Sequence, residues 1–281
     1  MRRLLVALAL AFAFAAGHSA QAASITASAG GGAFDNPVTD VEGPANSGSI
    51  LAEAIIPTDA FSDMTARSAL DVDGNAAIQL HGVYINTAKP HLAGTAFPQV
   101  TDGETAWSDT RTNMSALPKS YLYSFHLNAI SLGLTDLSGD GSETNPFAPL
   151  VSYRVEVRAN NVLVFESQAA LRGGSQSHVL TESGTDLGGT FGSTEGGIFY
   201  DFSAFDGTFS VGTAGPGESI TVVAKLIAHT EAYFSVSGGR AIMGDPLDLK
   251  DDPGVSSVIF EEDGTVGVEP ASWSSAKQLY R

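Results

Sequence analysis

The chain has no cysteine among its 281 residues, so no disulfide braces it and no thiolate can act as nucleophile or metal ligand. Basic residues are scarce too: 14 Lys and Arg stand against 31 Asp and Glu, for a net charge of −17. A chain of that balance cannot neutralise phosphates along a groove, which excludes nucleic acid as a partner and disfavours an anionic membrane surface. Several catalytic signatures are missing as well. Beyond the first two dozen residues there is no Gly-x-Ser-x-Gly elbow, no His-Glu-x-x-His and no phosphate-cradling or dinucleotide loop between a strand and a helix. His81, His91, His126, His178 and His229 are scattered without ligand spacing, which argues against zinc chemistry. The same stretch also lacks an amphipathic helix and any apolar run long enough to span a bilayer.

What is present begins with a leader. Arg2-Arg3 precede an unbroken apolar run from Leu4 to Ala16, and Ala20-Gln21-Ala22 supplies small residues at a cleavage position. This is the pattern of a secretory signal peptide over residues 1–22, with twin-arginine export as the alternative. A buried N-terminal helix would need a polar face within Leu4 to Ala16, and none exists. Removing Arg2 and Arg3 leaves the mature chain still more acidic. A secreted protein without disulfides must draw its stability from burial, hydrogen bonds or bound ions.

The clearest local signal spans Leu150 to Leu171. Val151, Tyr153, Val155 and Val157 alternate with Ser152, Arg154, Glu156 and Arg158, the period of a half-buried strand. Ala159-Asn160-Asn161 offers turn geometry before Val162-Leu163-Val164-Phe165, so the two halves read as an antiparallel hairpin. Strands are also expected over Ile50 to Ile56, Thr65 to Val72, Ala76 to Ile85, Tyr121 to Ile130, Ile198 to Phe202, Ile220 to His229 and Ser257 to Phe260. The aromatic face of Tyr121, Tyr123 and Phe125 should meet the hairpin. Phe205 to Phe209 reads as a turn between aromatic shoulders, and Tyr233 to Ser237 as a strand returning across Glu231-Ala232. Gly173 to Gly197 reads either as a flexible loop or as very short strands. Asn86 to Lys119 shows little periodicity and reads as a long surface connection. Together these patterns predict an all-β fold, an antiparallel β-sandwich of jelly-roll type. Residues 23–48 are expected as a flexible arm in which only Ser24 to Ala29 reads as a possible edge strand, 49–262 as the sandwich and 263–281 as a disordered tail. Two smaller sandwiches divided near 131–149 remain the alternative.

Two places could carry a ligand. Trp107 lies among acids and hydroxyls in Asp102 to Asp109, the composition of a sugar-stacking surface; alternatively, it pins the loop to the sandwich. Asp136, Ser138 and Asp140 place oxygen ligands at alternate positions, as the first half of an EF-type calcium loop does. Phe147 stands where a closing glutamate is needed, so any calcium site here is irregular, and a plain solvated turn is the other reading. Glu156, Glu166, Asp201 and Glu231 fall in strand contexts from which a sandwich glycosidase could draw an acid pair.

Val268-Glu269-Pro270-Ala271-Ser272-Trp273 resembles the start of the C-terminal sorting signal of bacterial exosortase substrates, the PEP-CTERM proteins. This chain lacks the first proline of that motif and the apolar segment that follows it, keeping only a terminal Arg281. The resemblance implies a secreted protein of exopolysaccharide-producing bacteria, and the missing segment implies release without a stable membrane anchor. The sequence therefore leads to a secreted, non-catalytic sandwich with a structural, surface or extracellular-matrix role. The alternative is a carbohydrate-binding module for extracellular polysaccharide, with calcium as the one candidate cofactor, and a glycosidase is a distant third. Oligomeric state is not legible.

Overall fold

The computed structural model describes residues 18–30, 38–42, 49–56, 62–71, 74–84, 99–136, 148–174, 176–194, 197–232 and 237–262. These contain seventeen strands and no helix. In chain order they are β1 (His18–Gly30), β2 (Val38–Glu42), β3 (Ser49–Ile56), β4 (Ser62–Asp71), β5 (Ala76–Tyr84), β6 (Gln99–Thr112), β7 (Lys119–Leu127), β8 (Ser131–Asp136) and β9 (Leu150–Ala159). There follow β10 (Val162–Gly173), β11 (His178–Gly184), β12 (Gly189–Thr194), β13 (Gly197–Phe202), β14 (Phe205–Ala214), β15 (Ser219–Ala232), β16 (Ser237–Met243) and β17 (Val255–Glu261).

Two antiparallel sheets pack face to face. The first has the order β11-β10-β9-β15-β6-β1-β2, and the second β12-β13-β8-β16-β5-β17-β7-β14, with β4 and then β3 branching from β5. The chain changes sheet between β2 and β3, β5 and β6, β6 and β7, β8 and β9, β11 and β12, β14 and β15, and β15 and β16, so the two sheets of the β-sandwich are interwoven along the sequence. Strands from both sides of residues 131–149 mix within each sheet, so the described residues form one sandwich.

The hairpin is as expected. β9 alternates buried and half-buried residues along its whole length. Asn160 and Asn161 take φ of 47° and 67°, the left-handed pair that a two-residue hairpin turn of type I′ requires and that asparagine tolerates. Phe125 of β7 meets Phe165 of β10 at 5.3 Å between ring centroids. Phe205 and Phe209 close on the same Phe165 ring at 5.0 and 5.6 Å. A second aromatic group joins Tyr153 to Phe202 at 5.0 Å and Phe202 to Tyr200 at 4.6 Å.

Four expectations are corrected. Gln99–Thr112, placed in a surface connection, is a fourteen-residue strand inside the first sheet, paired with β15 on one side and β1 on the other. Its inward residues Thr101, Gly103 and Thr105 are polar or small, so no apolar period marks it. Its burial is accommodated by tertiary partners: the Thr101 and Thr230 hydroxyls share a hydrogen bond of 2.5 Å. In the arm at 23–48, the possible strand at Ser24 to Ala29 is found within β1, but it is not an edge, because β2 pairs beyond it. β1 starts at His18, inside the expected leader, and its register against β6 shifts between Ala22 and Ser24, beside the expected cleavage point. Phe205 to Phe209 is not a turn but part of β14, paired to β7. Gly207 is glycine there because a Cβ would come within 2.7 Å of both flanking Phe rings. Glu231 and Ala232 continue β15, while Tyr233 to Val236 lie outside the described residues. Of the two readings of Gly173 to Gly197, short strands are found, as β11 and β12.

Gly103 faces the second sheet at closest approach, where a Cβ would lie 2.7 Å from Ile78 Cγ2 and 2.8 Å from Ser68 Oγ. Gly103→Ala is therefore expected to destabilise the fold by about 1–3 kcal/mol through overpacking. The check is a urea titration, in which the midpoint falls while the slope is unchanged.

Candidate functional site

Trp107 is not on the surface. It is 4% exposed, and its indole Nε1 donates to Ser257 Oγ of β17 at 3.2 Å. The position on β6 that turns its ring inward also brings Tyr123 of β7 beside it, and burial pushes the Tyr123 phenol above its ordinary range. Trp107 thus pins the two sheets together and offers no ring face to a sugar. The physical reason is parity: Thr101, Gly103, Thr105 and Trp107 share the inner face, while the acids Asp102 and Glu104 take the outer one. Tyr121, Tyr123, Tyr153 and Tyr200 are buried as well. Tyr153, bonded to Ser167 Oγ at 2.9 Å, is pushed up to about 12 by burial.

Asp136 ends β8, with its backbone opposite Ser237 of β16. Ser138 and Asp140 lie outside the described residues. Among the described residues, no group of three or more His, Asp or Glu could hold a metal ion.

The functional groups that the fold does gather lie on the outer face of the first sheet. β15 presents Lys225, Ile227, His229 and Glu231 there, because its alternate residues Ala224, Leu226, Ala228 and Thr230 are buried. Register sets His229 opposite Asp102 of β6 and Ser152 of β9. His229 Nδ1 lies 2.6 Å from Asp102 Oδ1, and Nε2 lies 3.0 Å from Glu231 Oε1. With a carboxylate on each ring nitrogen, both nitrogens donate and the imidazolium is favoured. The bond to Asp102 raises the His229 pKa, burial opposes it, and the bond to Glu231 adds to the rise. His126 on the second sheet has one carboxylate and one amide partner, with Asp206 Oδ1 2.7 Å from Nδ1 and Asn128 Oδ1 3.0 Å from Nε2.

Beside His229 runs a ladder of charges. Arg154 pairs with Glu156 at 2.8 Å and with Glu166 at 2.7 Å, Arg158 also pairs with Glu156, and Lys225 donates to Glu104 at 2.9 Å. Glu156 and Glu166, two of the candidate glycosidase acids, therefore share one guanidinium, and Glu231 is bonded to His229. Asp201 lies on β13 in the other sheet. No two of the four stand as a free acid pair across a cleft.

A depression of about 360 Å³ opens on this face, lined by Ser152, Arg154, Gln168, Ala170, Thr181 and Ile227. It forms where the short side chains of Ser152 and Ala170, paired across β9 and β10, sit beside the longer Arg154 and Gln168. Its one cation, Arg154, is already paired with Glu156 and Glu166, while the carboxylate of Glu182 also lines it, so it does not suit an anion. The spacing of His229 and Glu231 two apart on one strand was visible in the sequence. Their meeting with Asp102, more than a hundred residues away, depends on register alone.

No family model matches the chain, and no curated protein or solved structure is significantly similar to it. The His229 cluster makes a testable claim about stability. Because its folded pKa lies above the ordinary 6.5, the stabilisation it gives is complete below about 6.5 and is lost as pH rises through the folded value. The urea midpoint of His229→Gln should therefore fall below that of the unaltered chain in mild acid, and the gap should close in alkaline buffer. A gap independent of pH would contradict the ion-pair account.

Proposed function

We propose that the chain is a secreted, non-catalytic β-sandwich with a structural role at the cell surface or in the extracellular matrix. The observation that carries this reading is the destination of the aromatic residues. Trp107, Tyr121, Tyr123, Phe125, Tyr153 and Phe202 are all buried, spent on joining the sheets instead of forming a stacking surface. The outer face of the first sheet supports it further, since its arginines, lysine and carboxylates bond to each other. The signal-peptide pattern and the likeness of the tail to exosortase substrates supply the location.

The depression around Ser152 and Ala170 favours one second reading, a binding site for a neutral stretch of polysaccharide, with calcium at Asp136, Ser138 and Asp140 as its candidate cofactor. Two measurements decide between them. Cells producing the full chain are fractionated, and the exported form is expected to begin at Ala23; a chain retained whole in the cytoplasm would sink the structural reading. The purified exported form is then mixed with insoluble and gelled polysaccharides, with calcium and again with chelator, and it is expected to stay in solution in both. Depletion by one polymer that is abolished by filling the depression with Ala170→Gln would establish the binding reading instead.

A further inference from the structure

A sheet edge is a row of unpaired amide and carbonyl groups, and folded proteins guard it with charge, proline, bulges or a covering segment. Among the described residues this sandwich guards its edges unequally. On the first sheet, β2 carries Asp40 and Glu42, and β11 carries Glu182. On the second sheet, the branch strand β3 carries Glu53, whose amide is capped by Asp40 Oδ2 at 2.9 Å. β14 carries Asp206 and a register shift between Ser210 and Gly212. β12 has none of these devices. Gly189–Thr194 holds no charged residue and no proline, its pairing with β13 runs unbroken, and nearly all of it is exposed. Phe191 at its centre is 49% exposed, with its ring leaning on Tyr200 at 4.7 Å and on His178 at 4.8 Å.

We propose that β12 is the self-association edge of this protein, pairing antiparallel with β12 of a second copy so that the second sheet continues across two molecules. The charge pattern identifies the occupant. In a chain of net charge −17, two copies approach most readily through a segment free of acids, and β12 itself holds none, although Glu182 and Asp186 act on the Tyr200 ring beside Phe191. The nearest acid on the adjacent strand, Asp201 opposite Thr190, would stand at least three strand spacings from its equivalent, roughly 14 Å. That exceeds the Debye length of about 8 Å at physiological salt. A two-fold axis perpendicular to the sheet sets a residue opposite itself. Centred on Phe191, it forms an aromatic cross-strand pair and removes the exposed ring from water. Asp186 and Glu195 flank the strand in sequence, so association tightens as salt is added.

This proposal deepens the structural reading and rests on it only for its use outside the cell. The absence of native cysteine makes the test clean. Residues opposed in an antiparallel pair have Cα atoms about 4.5–5.5 Å apart, within the disulfide window of about 4.4–6.8 Å. Full-length Phe191→Cys should therefore oxidise to a covalent dimer at least roughly tenfold faster than Val41→Cys on the guarded edge β2, because pairing raises the local thiol concentration. Adding Thr190→Lys to Phe191→Cys should return the rate to that control while leaving the melting temperature near that of the parent. Should the double variant fail to fold, sedimentation of the unaltered chain decides, with a dimer favoured by salt expected. Equal oxidation rates for the two single-cysteine variants, or a monomer at every salt concentration, would overturn the proposal. An exported chain that fails these tests removes self-association alone, and a retained chain that passes them removes the location alone.

Discussion

The fold turns on how closely its two sheets can approach at β6. Gly103 and the hydroxyl pair of Thr101 and Thr230 make a narrow waist at the centre of the sandwich, where a single added methyl would touch Ile78. Elsewhere in the interior large rings fill the space between the sheets. Trp107 and Tyr123 lie toward the C-terminal end of β6, with the Phe125–Phe165 group nearby, and Tyr153, Tyr200 and Phe202 form a separate cluster. Small residues at the close contact around Gly103 and aromatic residues elsewhere fill the interior without a disulfide.

The same strand links the interior to the surface. Its outward residues Asp102 and Glu104 hold His229 and Lys225, so the charges on the outer face are positioned by the strand that sets the sheet spacing. These pairs return little stability individually where they are exposed. Their effect is on character: they gather most of the basic groups of this sheet against carboxylates. That face, the buried aromatics and the unequally guarded edges are the features on which the proposed structural role rests.

Where apolar residues alternated with polar ones, the strands could be read directly, as in β7, β9 and β15. Asparagine at 160 and 161 identified the hairpin because few other residues accept that backbone. β6 escaped because its inward face is threonine and glycine, whose suitability for burial depends on what stands opposite. Of the two readings of Trp107, the structure bears out the one in which it pins the chain to the sandwich, and the other misled for the same reason. Trp107 looked like a surface residue because its sequence neighbours are polar, and those neighbours point the other way. The cluster at His229 was half legible, through Glu231 two residues on, and its other half depended on a strand far away in sequence.

By itself the sequence determined that the protein is built of antiparallel strands, that it must hold together without covalent staples, and that it is strongly acidic. Those properties follow from composition and from a two-residue period, both of which are local. Only the tertiary structure decided which strands lie at the centre and which at the edge, which acids meet a histidine or an arginine, and that the aromatics face inward. Those outcomes depend on register between distant segments, and a shift of one residue would exchange every inward side chain for an outward one.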